Sequence, residues 1–235
     1  MLKQIERTKP SLFGLFTNPI REFRLIREQP RFFLSLLLLS FIVSITFYYV
    51  GETIGSNPEA IANIERLQGQ AFSPAIKDQI NVFVGISYGF AGFMLPWVTC
   101  LLNSLVLFLL VKAYQGKATF KQLYAFSAHL YLLTTLSLIT DFLVNRLAGH
   151  PLGAPVTSLG IFIPDLSGGL LSSLLSYLSL FTIWYAIWLI SGLQEITGLS
   201  KKHSQIVTIL FLVIGFFGLT NVTIFYHDIA TMLLR

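Results

Sequence analysis

The sequence predicts an all-α fold: a polytopic integral membrane bundle of five transmembrane helices, N-terminus cytoplasmic and C-terminus outside. Three observations predict it. Of 235 residues, 54% are hydrophobic and 11% charged, whereas a soluble domain carries about 25% charged residues. Mean hydropathy is +0.71, so one water-facing fold cannot hide the apolar surface. Apolar runs also recur at the length of a bilayer crossing, about 20 helical residues for a core of about 30 Å. Net charge is +5, but the cations sit beside the apolar runs rather than in a nucleic-acid-binding stripe. The one cysteine, Cys100, excludes an internal disulfide, a cysteine metal cluster and a redox pair.

Residues 1–17 read as a basic and apolar N-terminal segment, with SLFGLF at 11–16 inserting apolar side chains. Asn18 caps a helix whose first residue is Pro19, a position that tolerates proline. That helix, about 19–29, places Ile20, Phe23 and Ile26 on one face and Arg21, Arg24 and Arg27 on others; Pro30 ends it. It is expected to lie on the inner leaflet. Its arginines, with Arg31, would meet anionic lipid at about 1 kcal/mol each.

Five spans follow at about 32–50, 90–112, 122–145, 169–193 and 204–226. The first has no cleavage pattern after it and is a retained anchor rather than a signal peptide. The second has an apolar lead-in from Asn81. Splitting the uncharged stretch 81–111 at Pro96 would give halves of about 15 residues, too short to cross. One tilted helix kinked at Pro96 is expected instead. The 51–80 loop carries Asn57-Pro58 as a helix start, with Ile61, Ile64 and Leu67 marking a short amphipathic helix after it, and Ser73-Pro74 is expected to open the second span's helix outside the membrane. The loop at 147–168, with Asp165, is a plain connection. Thr119 and Gln122 form a capping box opening the third span, and Ser200 caps the fifth. Residues 228–235 form a short outer tail.

The cations orient the bundle. Lys3, Arg7, Lys9, Arg21, Arg24, Arg27, Arg31, Lys112, Lys117, Lys121, Lys201 and Lys202 fall inside, and Arg66, Lys77, Arg146 and Arg235 outside, twelve against four. Positive charge collects on the cytoplasmic side.

Few residues suggest chemistry. GISYG at 85–89 matches G-x-S-x-G, but no strand precedes it. Ser87 lies about 39 Å and His129 about 12 Å above the inner ends of their spans, out of reach of one another. Gly85 and Gly89 instead make a G-x-x-x-G packing pair. Ser172, Ser176 and Ser179 line one face of the fourth span, and Gly215 and Gly218 the fifth, again as packing positions. Asn103, His129 and Tyr185 fall at one depth, a candidate intramembrane polar layer. Asp141 and Asn221 lie near the outer surface. The sequon at Asn221 and Thr223 is inside a span. Trp184 and Trp188 are packing residues, and His203 and His227 are surface residues. No cofactor, metal cluster or catalytic constellation is expected, and the chain is read as not an enzyme.

NPIREFRLIREQP, with Asn18, Pro19, Phe23, Ile26, Glu28 and Pro30, resembles the opening signature of the Yip-one (Ypt/Rab-interacting protein) membrane-domain family. GKATFKQLYAFSAHL and SLFTIWYAIWLISGLQEITGLSKKHS resemble its second and third signatures. The resemblance covers 18–227 and implies five spans. Eukaryotic relatives associate with Rab-type GTPases and usually carry a longer hydrophilic N-terminal region. The short N-terminus here resembles prokaryotic members, some associated with ABC-type export systems, and Rab binding is not carried over. The expected function is binding or organising a membrane partner, an exporter or trafficking component, another membrane protein or a second copy, in a prokaryotic cell membrane. Arg21, Arg24, Arg27, Arg31, Lys117, Lys121, Lys201 and Lys202 are the expected docking or anionic-lipid face. The alternative is a small transporter or channel component built on Asn103, His129 and Tyr185.

Overall fold

The computed structural model describes residues 9–149, 154–163 and 170–233, with side chains left undescribed at 60, 64, 67, 68 and from 219 onward. Lys3, Arg7, Asp165 and Arg235, and the side chains of Ile64, Leu67, Asn221, Thr223 and His227, lie outside what is described. The described chain is helical throughout: α1 (Gly14–Thr17), α2 (Pro19–Glu28), α3 (Phe33–Gly55), α4 (Pro58–Gln68), α5 (Pro74–Ala113), α6 (Phe120–Ala148), α7 (Leu170–Tyr177), α8 (Leu180–Thr197) and α9 (Lys201–Leu233), with a 3-10 turn at Leu159–Phe162.

The starts follow from local chemistry. Asn18, Asn57 and Ser73 accept backbone N–H groups at the heads of α2, α4 and α5, each followed by proline. These side chains satisfy donors the first turn leaves orphaned. Thr119 and Gln122 form both halves of a capping box on α6. Glycine in the left-handed region at Gly69, Gly149 and Gly198 follows α4, α6 and α8, because only glycine takes that conformation without a Cβ penalty.

α3, α5 and α6 are each long and apolar enough to cross a membrane. Among the described residues α6 is the most enclosed, packing on α3, α5 and α8. The tightest pair is α3 with α5, and glycines make its seam. A Cβ on Gly51 would come within 2.9 Å of the Gly85 Cα, and one on Gly92 within 2.7 Å of the Phe47 Cβ.

α5 is one helix from Pro74, running through Pro96 to Ala113, as the Ser73-Pro74 start and the unbroken 81–111 stretch predict. Two elements depart from the sequence expectation. The expected fourth helix over 169–193 is two helices, broken at Leu178 and Ser179. The segment 154–163 causes the break. Leu180 N–H donates to the Thr157 carbonyl and Leu159 N–H to the Leu178 carbonyl, each at 3.0 Å. These bonds replace helical ones, and Ser179 caps α8 instead of continuing the face of Ser172 and Ser176. Val156 N–H also donates to Asp141 Oδ1 at 2.8 Å, so the loop is tied to α6.

The second departure is the N-terminal segment. α1 and α2 do not rest on the bundle's edge. Leu15, Phe23 and Ile26 have no exposure, and they join the core cluster formed by α5, α6, α8 and α9. Phe16 sits edge-on against both Trp184 and Trp188 at 5.6 Å. Trp184 is about 20 Å along α8 from Thr197 at 1.5 Å per residue. The segment therefore climbs beside α8 and returns through α2. On the apolar face of α2, Phe23 and Ile26 meet other helices, while Ile20 at its start is 52% exposed.

Candidate functional site at the basic end of the bundle

α2, the α5–α6 turn and the α8–α9 turn converge at one end through polar ties. Arg24 Nε donates to Glu195 Oε1 at 3.0 Å. Arg27 Nη1 donates to the Glu195 carbonyl at 3.0 Å. That carbonyl lies in the last turn of α8, where unpaired carbonyls and the helix dipole favour a cation. Gln122 Nε2 donates to the Arg27 carbonyl at 2.7 Å, closing α2 onto the head of α6. Lys117 N–H donates to the Thr197 carbonyl at 2.8 Å, joining the two turns.

These ties divide the expected docking cations. Arg24 and Arg27 hold α2 in place. Arg21, Arg31, Lys117, Lys121, Lys201 and Lys202 are exposed, and none has a side-chain ion pair among the described residues. Packing beneath them is dense. Phe126 meets Phe23 edge-on at 5.3 Å, and its ring lies where a side chain on Gly192 would stand. Glu22 is 2% exposed and accepts from Ser11 N–H at 2.7 Å, which folds the chain before α1 back onto α2.

The expected polar layer is not joined by hydrogen bonds among the described residues. His129 is wholly buried. Its Nδ1 lies 2.7 Å from the Ala125 carbonyl. A carbonyl only accepts, so Nδ1 carries a proton. Nε2 lies 3.3 Å from Ser35 Oγ on α3. Tyr185 instead stacks on Phe211, and Asn103 is half-buried on α5.

The remaining positions are as follows. Ser87 is exposed on α5, apart from His129. Gly85 and Gly89 face Tyr48 of α3, and Ser176 lies against Gly160 of the 3-10 turn rather than another span. Ser172 is half-buried. Gly215 faces the Tyr177 hydroxyl, and Gly218 has nothing within 4 Å. His203 packs by Tyr114.

Sequence reasoning missed Glu195, the anchor of both arginines. A lone acid at the end of an apolar span, facing a run of arginines, was the available signal. It also missed Gly51 and Gly55, a G-x-x-x-G pair in a stretch read as loop, which extends the seam from Gly85 and Gly89.

Comparison with known proteins places this arrangement. The family model described as Yip1 domain matches residues 13–222. Membrane protein YknW of Bacillus subtilis (strain 168) is 31% identical over 206 residues, covering 86% of this chain and 85% of that protein. No solved structure matches.

Proposed function

Because the chain belongs to the Yip1 domain family of membrane proteins, we propose that it is a non-enzymatic, multi-pass protein that binds or organises another membrane component through its basic end. The observation that carries this is the convergence of three cation-bearing segments, with six cations left unused by the fold. An unneutralised cluster of this sort attracts anionic lipid or an acidic face of a partner. The proposed topology has five spans, with this end cytoplasmic, in a prokaryotic cell membrane. The twelve-to-four distribution of Lys and Arg supports it. α8 and α9 supply the fourth and fifth spans, with α7 at the outer surface. At 18 residues α8 is about 27 Å long, close to the bilayer core. Family resemblance makes a transport complex such as an ABC-type exporter, or a second copy of this chain, the partner classes to test.

The test is recovery from native membranes in mild detergent, read by quantitative mass spectrometry. A near-stoichiometric membrane partner is expected. It should be lost when Arg21, Arg31, Lys117 and Lys121 are changed to Gln, with insertion unchanged. Recovery of the protein alone, or an unchanged partner on the variant, overturns the reading.

A further inference from the structure

The outer half of α3 carries a polar side chain at every fourth position: Ser44, Tyr48 and Glu52. They meet the glycine-lined side of α5. Ser44 Oγ donates to the Gly89 carbonyl at 2.8 Å, and the Tyr48 hydroxyl donates to Glu52 Oε1 at 3.0 Å. A Cβ on Gly85 would stand 3.1 Å from both the Glu52 Cγ and the Tyr48 ring.

Gly89 leaves a gap beside this ladder. It opens as a groove of about 480 Å³ whose lining includes Ser44, Tyr48, Tyr49, Ile86, Gly89 and Phe90. Clefts of about 300–1,000 Å³ hold small ligands. Its rim faces out: Tyr49 is 46%, Ile86 58% and Phe90 67% exposed. In a membrane-spanning bundle that side meets lipid.

Glu52, one turn of α3 beyond Tyr48 and outside that lining, decides what the groove would take. It is half-buried and has no ion-pair partner among the described residues. It stands about 28 Å along α3 from Phe33 at 1.5 Å per residue, roughly one hydrocarbon thickness. That is headgroup level. An uncompensated carboxylate there favours a cation.

The geometry points to a binding site for a phospholipid with an ammonium headgroup, its acyl chain in the α3–α5 groove and its ammonium on Glu52. A primary ammonium supplies three donors, one of which meets the carboxylate oxygen that Tyr48 leaves open. A trimethylated headgroup keeps the charge and loses the donors. A glycerol headgroup brings no cation, and its phosphate is repelled. The site lies toward the other end of the bundle from the basic face. It rests on the membrane-spanning reading and not on the docking reading.

The test uses the full chain, delipidated in detergent and offered equal dioleoyl phosphatidylethanolamine, phosphatidylcholine and phosphatidylglycerol under native mass spectrometry. Phosphatidylethanolamine should be retained about tenfold over phosphatidylglycerol, the effect of one charge-assisted hydrogen bond. Glu52→Gln should bring the ratio near unity while lipid still binds. Ile86→Trp, which fills the groove from its outer side, should reduce all three lipids alike. A series from the primary to the trimethylated ammonium, run on the unaltered protein, needs no variant. Retention falling with each added methyl supports the site. A flat series, or a Glu52→Gln protein that keeps the preference, overturns it.

Discussion

At the basic end, Phe126 fills the space between α2 and α8 with a whole aromatic ring; along the α3–α5 seam, Gly51, Gly55, Gly85 and Gly92 let the backbones meet with little between them. The first region is made by interlocked side chains, the second by their absence. The contrast follows from how apolar helices associate. In lipid, burial of apolar surface gives little drive, so association depends on close packing and polar ties. The basic end gathers four helices and a returning segment around large side chains and adds polar locks. The seam joins two helices along much of their length, where close backbone approach does the same work. The two ends should therefore fail differently, one to cavities and the other to added atoms.

The largest loss is expected from Phe126→Ala. It removes the ring shared by α2, α6 and α8 and leaves a cavity lined by Phe23 and the bare Gly192 backbone. Large-to-small changes of this type cost about 3–5 kcal/mol in soluble cores, and the lower part of that range is expected here because lipid removes part of the transfer term. Steric-trap unfolding in bicelles measures it. Hydrogen exchange should show 14–28 losing protection first. An unchanged segment would show that the polar ties, not the ring, hold α2.

Gly51→Ala should follow, at about 1–3 kcal/mol, the cost of overpacking. Its Cβ would meet the Gly85 Cα at 2.9 Å and the Tyr88 Cβ at 2.8 Å, so the helices must part. Spin-label distances between α3 and α5 should lengthen. Gly69→Ala is the contrasting control, with nothing within 4 Å of its Cβ. It strains only the left-handed cap and should leave those distances unchanged.

How far the sequence foretold this contrast depends on range. The helix heads were legible, because Asn18, Asn57, Ser73 and Thr119 act within three residues of themselves. The Gly85 and Gly89 face was legible as a spacing. The break at Leu178 and Ser179 was not: LLSSLLSYLSLF holds no proline or glycine, and the bonds that end α7 come from Thr157 and Leu159. The return of α1 and α2 into the core was hidden for a related reason. An apolar face against arginines reads alike whether it meets lipid or Phe126, and only the tertiary partner decides. Asn103, His129 and Tyr185 share a depth, but depth along a helix does not fix which way a side chain points. His129 turns to Ser35.

A smaller effect tests how much the polar locks add. In a double-mutant cycle, Arg24→Ala and Glu195→Ala should couple by about 0.2–1 kcal/mol, the range for solvent-exposed pairs. The Arg24 side chain is 57% exposed. Salt should weaken the coupling. Arg27 bonds the Glu195 main-chain carbonyl rather than its carboxylate, so Arg27→Ala should show little coupling to Glu195→Ala. Coupling through both arginines would mean that the carboxylate is shared.

The smallest effect lies at the N-terminal end of α5, where Lys77 Nζ stands 2.9 Å from Glu65 Oε1. The same oxygen accepts from Phe72 N–H at 2.8 Å. The Lys77 ammonium first, and the Phe72 amide second, hold the Glu65 carboxyl below its usual range. A carboxylate depressed in the fold contributes stability that is fully present above its unfolded value, about 4.3, and lost as pH falls through the lower folded value. Hydrogen exchange at 65–77 should therefore be steady, after correction for intrinsic rates, from neutral pH to about 5. It should quicken below that, while the α3–α5 seam, held by glycine contacts and by no ion pair among the described residues, stays protected. Glu65→Gln should remove the pH dependence from 65–77 and leave the seam as it was. If seam and loop loosen together on acidification, the two behave as one unit, and the ion pair is part of what holds α5 against α3.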